Sequence, residues 1–327
     1  MNRMWTFFVV VWLCVIVSTG SSLAVDKPER SVAITIDDLP AGAAGSMSAA
    51  AITEMTAKLL GTLRDQKVSV VGFVNENKLY KLGEVDARIG ALRMWLDYGF
   101  ELGNHTYSHA SLNRVGLREW EDEVVAGESV TRLLLAEHKM KLRYFRHPYL
   151  DTGRDMLTRR EAEAFLAQRG YRIAPVTLDA WDWMYAPVYD DAKKRGDTAL
   201  QAQLVKSYLE YSDQVFDYTE KLSQRVVGYE VKQILLLHAN QLEADHIGEL
   251  LDVFRKRGYH FITLEEALGD LAYGLPDEYV GEEGTGWLDH WAVTQGKPPQ
   301  GAPVFPQWVI DRATPLRQPP PPVAPPK

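Results

Sequence analysis

Apolar and polar positions along this chain change period again and again, and the changes mark out its elements. Val32-Ala33-Ile34-Thr35-Ile36 is a β-branched run that stops at Asp37-Asp38-Leu39-Pro40, which predicts a buried strand ending at a mouth. Residues 50–63 carry Ile52, Met55, Leu59 and Leu60 at helical spacing, and residues 68–74 read as a second strand, so the chain opens as a βαβ unit. A helix is expected over residues 84–98, with Ile89, Leu92, Trp95 and Leu96 as its buried stripe and Gly99 as its stop. A short strand over 100–104 then delivers His105.

The alternation continues with a long amphipathic stretch over 117–137, a strand over 142–145 running into Arg146-His147-Pro148-Tyr149, and a helix over 155–168. Short strand signals at 171–173 and 176–178 lead to Asp179-Ala180-Trp181-Asp182-Trp183. One long helix or a bent pair is expected over 198–223. The apolar strand 233–237 ends at His238, a helix covers 244–256, and 259–262 reads as the last strand. Thr263 with Glu266 three residues on forms a capping box for a short helix through Leu268. Strand, polar tip, helix is the recurring unit. Seven or eight such units in one stretch predict an α/β fold, a closed or nearly closed (β/α) barrel, with a doubly wound open sheet as the alternative. From Ala272 periodicity gives way to Gly, Pro and isolated aromatics (Trp287, Trp291, Phe305, Trp308). Expected boundaries are therefore 1–24, 25–271 for the main α/β domain, 272–314 for an irregular extension, and 315–327 for a proline-rich, mobile tail.

Composition narrows the function. With 327 residues, 46% hydrophobic and 24% charged, the chain has ample material for a full core. A net charge of -8 without any long basic tract argues against nucleic acid or an anionic membrane surface as partner. Residues 1–24, with Arg3, the apolar run from Thr6 to Val17 and Ser22-Leu23-Ala24, read as a secretory signal peptide cut after Ala24, with a retained anchor as the alternative. The expectation is an exported protein, periplasmic or secreted, without stable membrane insertion after cleavage. The one cysteine, Cys14, lies in that segment, so the mature chain has no thiol, and a zinc-like site must be built from His and carboxylate.

The strand tips carry those residue types. A carboxylate at the end of a buried strand requires a cation or hydrogen bonds, because burying it alone costs several kcal/mol. Side chains alternate along a strand, so Asp37 and Asp38 face different ways, and one is free to bind metal while the other meets the reacting group. His105 and His109, four apart, present two imidazoles together. With one carboxylate they make a His₂Asp set that leaves metal positions open for water and substrate.

Taken in order, Thr35-Ile36-Asp37-Asp38, His105-Thr106-Tyr107-Ser108-His109, Arg146-His147-Pro148-Tyr149, Asp179-Ala180-Trp181-Asp182-Trp183 and Leu236-Leu237-His238 resemble the five motifs of the polysaccharide deacetylases, the NodB-homology family. The resemblance spans about residues 31–268. It implies a deformed (β/α)7-8 barrel of the NodB type holding one divalent metal, usually Zn2+ with Co2+, Mn2+ or Ni2+ as alternatives. By the same resemblance Asp38, His105 and His109 are the ligands, Asp37 is the general base, and Arg146 orients it. Tyr149 offers its backbone N–H to the oxyanion, and His238 is the general acid, held by Asp182. Tyr107, Trp181, Trp183 and Leu236 are the expected substrate-binding residues, with the tyrosine and tryptophan rings as stacking surfaces. The implied activity is removal of acetyl groups, N-acetyl first, from a polysaccharide or oligosaccharide. Hydrolysis of a non-glycan C–N bond or small ester, or glycan binding without catalysis, are the alternatives. Ile36 stands where the family has an aromatic, Ala110 where it commonly has proline, and His147 is unusual within the arginine motif and carries no assigned role.

Overall fold

The computed structural model describes residues 29–317. The expected signal segment and Cys14 lie outside the described residues, as does most of the proline-rich tail. The chain runs β1 (Arg30–Leu39), α1 (Ala49–Asp65), β2 (Val70–Val74), α2 (Val85–Asp97), β3 (Glu101–Asn104), α3 (Leu112–Val115), α4 (Leu117–Ala126), α5 (Ser129–Glu137), β4 (Tyr144–Phe145), α6 (Met156–Gln168) and β5 (Arg172–Ile173). It continues with β6 (Leu178–Asp179), α7 (Asp182–Lys194), α8 (Thr198–Val226), β7 (Gln233–His238), α9 (Gln241–Lys256), β8 (Tyr259–Ile262), α10 (Leu264–Ala267), α11 (Trp287–Thr294) and α12 (Gln307–Ala313).

All pairings are parallel, in the order β5-β4-β3-β2-β1-β7-β6, with β8 on the first half of β1. Among the described residues no strand pairing joins β5 to β6, so the sheet is a curled, open half-barrel, the deformed form of the expected barrel. Both faces of β1 are buried, as a parallel sheet requires. Val32, Ile34 and Ile36 pack under the helices, while Ala33 packs inside the curl with Phe73, Tyr144, Ala174 and Ile234. Parallel strands point their carboxyl ends the same way, so the polar tips read from sequence converge at one mouth.

Three local expectations change. The stretch 117–137 is two helices, because the chain breaks at Gly127 and Glu128. A Cβ on Gly127 would lie 2.7 Å from the Thr106 carbonyl carbon and the Tyr107 nitrogen, so the helix pair passes backbone to backbone over the histidine loop. Glu128 at the break takes hydrogen bonds from Arg132 and the Tyr171 hydroxyl. Secondly, α7 follows the Asp179 tip directly and is a full helix despite Pro187 within it, the residue that masks it in sequence. Thirdly, the region after Ala272 contains α11 and α12, whose Trp291 and Val309 are buried. The region 198–223 is one helix, extended to Val226. Among the described residues no helix is long and apolar enough to cross a membrane.

Candidate active site

The site begins with an irregularity in β1. The register against β2 shifts between Ile36 and Leu39, and Asp38 sits at φ 72° in the left-handed region, where a non-glycine residue costs roughly 1–2 kcal/mol. That bulge turns the adjacent carboxylates in different directions. Asp37 stays in the strand, opposite His238 of β7 in register, and is 2% exposed. Asp38 turns towards the histidine loop.

That loop is wound tightly by its own polar groups. Asn104 Oδ1 accepts from Thr106 N at 2.8 Å, Thr106 Oγ1 accepts from Ala110 N at 2.9 Å, and Asn75 Nδ2 donates to the His105 carbonyl at 2.6 Å. Thr106 and His109 are both left-handed as a result, at φ 63°. The winding brings the two imidazoles edge to face at 4.7 Å between ring centres. His105 Nδ1 lies 2.8 Å from the Arg146 carbonyl, an acceptor only, which places the proton on Nδ1 and leaves the Nε2 lone pair free for a ligand. Donor atoms of Asp38, His105 and His109 all lie within 4.8 Å of one another. Burial lowers the pKa of both histidines, His109 to about 4, so both are neutral and able to coordinate at physiological pH. Asp38 is ionised: burial opposes this, but Lys78, 2.9 Å away, and the neighbouring imidazoles hold its pKa below the usual range. One carboxylate and two neutral imidazoles fit a single divalent ion of the zinc type.

Asp37 and His238 flank the cluster and are held differently. Arg146 is fully buried; its Nε donates to the Ala174 carbonyl at 2.7 Å and its Nη2 to Thr35 at 2.8 Å, leaving Nη1 3.4 Å from Asp37 Oδ2. Asp37 Oδ1 has no hydrogen-bond partner. Burial raises the Asp37 pKa to about 6, with Arg146 and His238 pulling the other way. His238 receives a double grip from Asp182, which lies 2.8 Å from its Nδ1 and accepts its backbone N–H at 2.9 Å. Asn240 Nδ2 donates to the same carboxylate at 2.6 Å. Burial alone would lower the His238 pKa, but Asp182, with the Asp38 and Asp37 carboxylates adding to it, outweighs burial and raises it to about 10.

These groups open on a cavity of about 1170 Å³. Trp181, Trp183 and Leu236 line it, as does Tyr149, whose ring packs 4.4 Å from that of His109. Trp181 is left-handed and 38% exposed, with its ring 5.2 Å from Phe305 and 5.7 Å from Trp183. Tyr107 is not among the lining residues; its ring lies 6.3 Å from Tyr80. His147 is buried in a stack with Trp120 at 5.4 Å, and neither ring nitrogen has a hydrogen-bond partner.

Sequence reasoning passed over several residues of the mouth. Lys78 has no motif to announce it, since a short 3₁₀ turn over Glu76–Leu79 carries it to Asp38. Asp179 lies within the Asp179–Trp183 motif, whose pattern assigns it no role. It lines the cavity, burial raises its pKa to about 6, and its carboxylate accepts the Trp181 N–H at 2.8 Å. Arg114 stands over the Tyr149 ring at 4.7 Å and Arg317 over Trp183 at 4.6 Å. Gly284, Thr285 and Phe305 bring the C-terminal region to the cavity wall.

A mouth that gathers a metal-binding Asp/His/His cluster, a buried carboxylate and a carboxylate-held imidazole is that of a metal-dependent hydrolase. The polysaccharide deacetylase family model matches residues 24–171, just under half of the chain. Asp182 and His238 lie beyond the matched span and reach the cluster only through the fold. The chain is 25% identical over 241 residues to a chitin deacetylase of Colletotrichum lindemuthianum, covering 73% of this chain and 79% of that one. It is also 25% identical over 155 residues to a peptidoglycan-N-acetylglucosamine deacetylase of Bacillus cereus, covering 47% of each. Among solved structures it is similar to a family 4 carbohydrate esterase from Streptomyces lividans in complex with acetate, with a TM-score of 0.46, 18% identity, and 74% of this chain and 97% of that one covered.

Proposed function

We propose that this protein removes acetyl groups, N-acetyl in the first instance, from an acetylated polysaccharide or oligosaccharide. The observation that carries the reading is the placement of Asp37 and His238 opposite each other in register, flanking the Asp38, His105 and His109 donors at the head of one cavity. Those three side chains would hold a divalent ion, zinc by the chemistry of the donor set, which would supply Lewis acidity at the site when bound.

The chain's own residues do the rest. Asp37, with one oxygen unpartnered and the other steered by Arg146, takes the proton of the water as it attacks the carbonyl carbon. The Tyr149 backbone N–H is the donor assigned to the developing oxyanion. An amine departs poorly unless protonated, and His238, kept as imidazolium by Asp182, donates that proton. Trp181 and Trp183 offer ring faces to sugar on the cavity wall. The pattern of residues 1–24 supports export, with action in the periplasm or outside the cell.

Acetate release decides the matter. Chelated protein reloaded with zinc, cobalt, manganese or nickel is offered chitin-type oligomers, peptidoglycan, acetylated xylan and small acetyl amides and esters. Metal-dependent acetate from a glycan is the expected result. Acetate only from the small compounds would move the reading to a small-molecule hydrolase, and sugar binding without acetate to a binding protein.

A further inference from the structure

Residues 277–287 form a strap that crosses the loop bearing Tyr149. The strap is anchored away from the mouth: Arg159 grips Asp277 with two nitrogens at 2.9 and 2.6 Å and donates to the Tyr279 carbonyl at 2.8 Å. His290 Nδ1 pairs with Asp277 at 2.9 Å, and its ring lies between those of Tyr279 at 4.2 Å and Trp287 at 4.8 Å. Trp287 N bonds the Val176 carbonyl at 2.7 Å, next to the sheet.

Between these anchors the strap rests on the loop itself. A Cβ built on Gly284 would lie 2.2 Å from the Leu150 carbonyl carbon and 2.4 Å from the Tyr149 oxygen, so only glycine permits this approach. The Gly284 N–H donates to Asp151 Oδ1 at 2.8 Å, and the other Asp151 oxygen is bonded by Ser111. Asn113 makes a second tie, donating to the Gly281 carbonyl at 3.0 Å and accepting from Gly153 N at 2.9 Å. Under this clamp, Tyr149 and Leu150 are consecutive left-handed residues at φ 58° and 57°, a conformation that relaxes unless its surroundings enforce it.

We propose that the strap is a positioning element for the reaction: it holds residues 149 and 150 in the conformation that aims the Tyr149 N–H, with Gly284 as the contact and Asp151 as the tie. The proposal rests on the deacetylase reading for its catalytic consequence but not for the clamp.

The test compares wild type with Gly284→Ala and Asp151→Ala in the full chain, with Asp277→Asn as a gentler loosening of the anchor should either fail to fold. Hydrogen exchange of metal-free protein at residues 149–151 is the first readout. Kinetics of acetate release from a soluble N-acetylglucosamine oligomer, with zinc content measured alongside, is the second. Faster exchange confined to the loop is expected, with kcat lower by about 10- to 100-fold, KM within about twofold and zinc content unchanged. Unchanged exchange in folded variants overturns the clamp. Faster exchange with wild-type kcat overturns the positioning role and leaves the strap merely structural. If wild type itself releases no acetate while exchange responds, the deacetylase reading falls and the clamp stands.

Discussion

The two proton-handling ends of the mouth are built on opposite plans. Asp37 and Asp182 are both buried carboxylates, 2% and 0% exposed. Asp182 is saturated, accepting from the His238 backbone and from Asn240 and pairing with the His238 ring, all between 2.6 and 2.9 Å. Asp37 has only long contacts, from Arg146 at 3.4 Å and His105 Nε2 at 3.6 Å to the same oxygen, and its other oxygen has no partner. A group that must accept a proton from a transient water needs an open lone pair and a raised pKa, and incomplete solvation supplies both. A group that must keep another residue charged and aimed needs the reverse. Similar burial thus leaves an open carboxylate at one end and a saturated one at the other, and the number of hydrogen bonds distinguishes them.

The contrast breaks first at its common centre. His105→Ala is expected to abolish metal binding and acetate release together, and a variant that elemental analysis finds fully metal-loaded would remove His105 from the ligand set. Asp37→Asn is next: it keeps the shape and the metal but loses the base, for an expected 10²–10⁴-fold drop in kcat. Full turnover in that variant would transfer the role elsewhere.

Asp182→Asn probes the saturated end. It should cost about 10²-fold in kcat and bring the His238 imidazole, followed by NMR in metal-free protein, down from about 10 towards the ordinary histidine range. An unmoved titration would show that Asp182 does not hold the charge. The folded pKa of His238 lies above its unfolded value of about 6.5, so the pair's contribution to stability is complete below that pH and is lost as pH rises through about 10. On the acid side, kcat/KM should fall at or below about pH 6 as Asp37 takes a proton, with a bound cation moving that limb lower. The smallest effect belongs to the wall. Trp181→Ala should raise KM for an oligosaccharide by roughly 2- to 10-fold with kcat little changed, on the scale of one aromatic contact. An unchanged KM would take sugar stacking away from that ring.

Much of this was legible in one dimension. Amphipathic periods located most helices, and strand signals ending in Asp37-Asp38, His105 and His238 located the strand tips, because burial on one face or two leaves a period in the sequence. Parallel strands then oblige those tips to share an end. What lacked a period was missed: α7 is masked by Pro187, the 117–137 break depends on a backbone approach at Gly127, and α11 and α12 are short helices set among Gly and Pro.

Residue types at the strand ends therefore determined the chemistry by themselves, since a carboxylate and two imidazoles define a donor set wherever the fold unites them. Tertiary structure alone decided which carboxylate is open and which is saturated, that Lys78 meets Asp38, and that Gly284 lies on the loop of Tyr149. Those are contacts between segments from 40 to more than 100 residues apart, with no local pattern to record them; only packing, which sets distance and burial together, brings them into being.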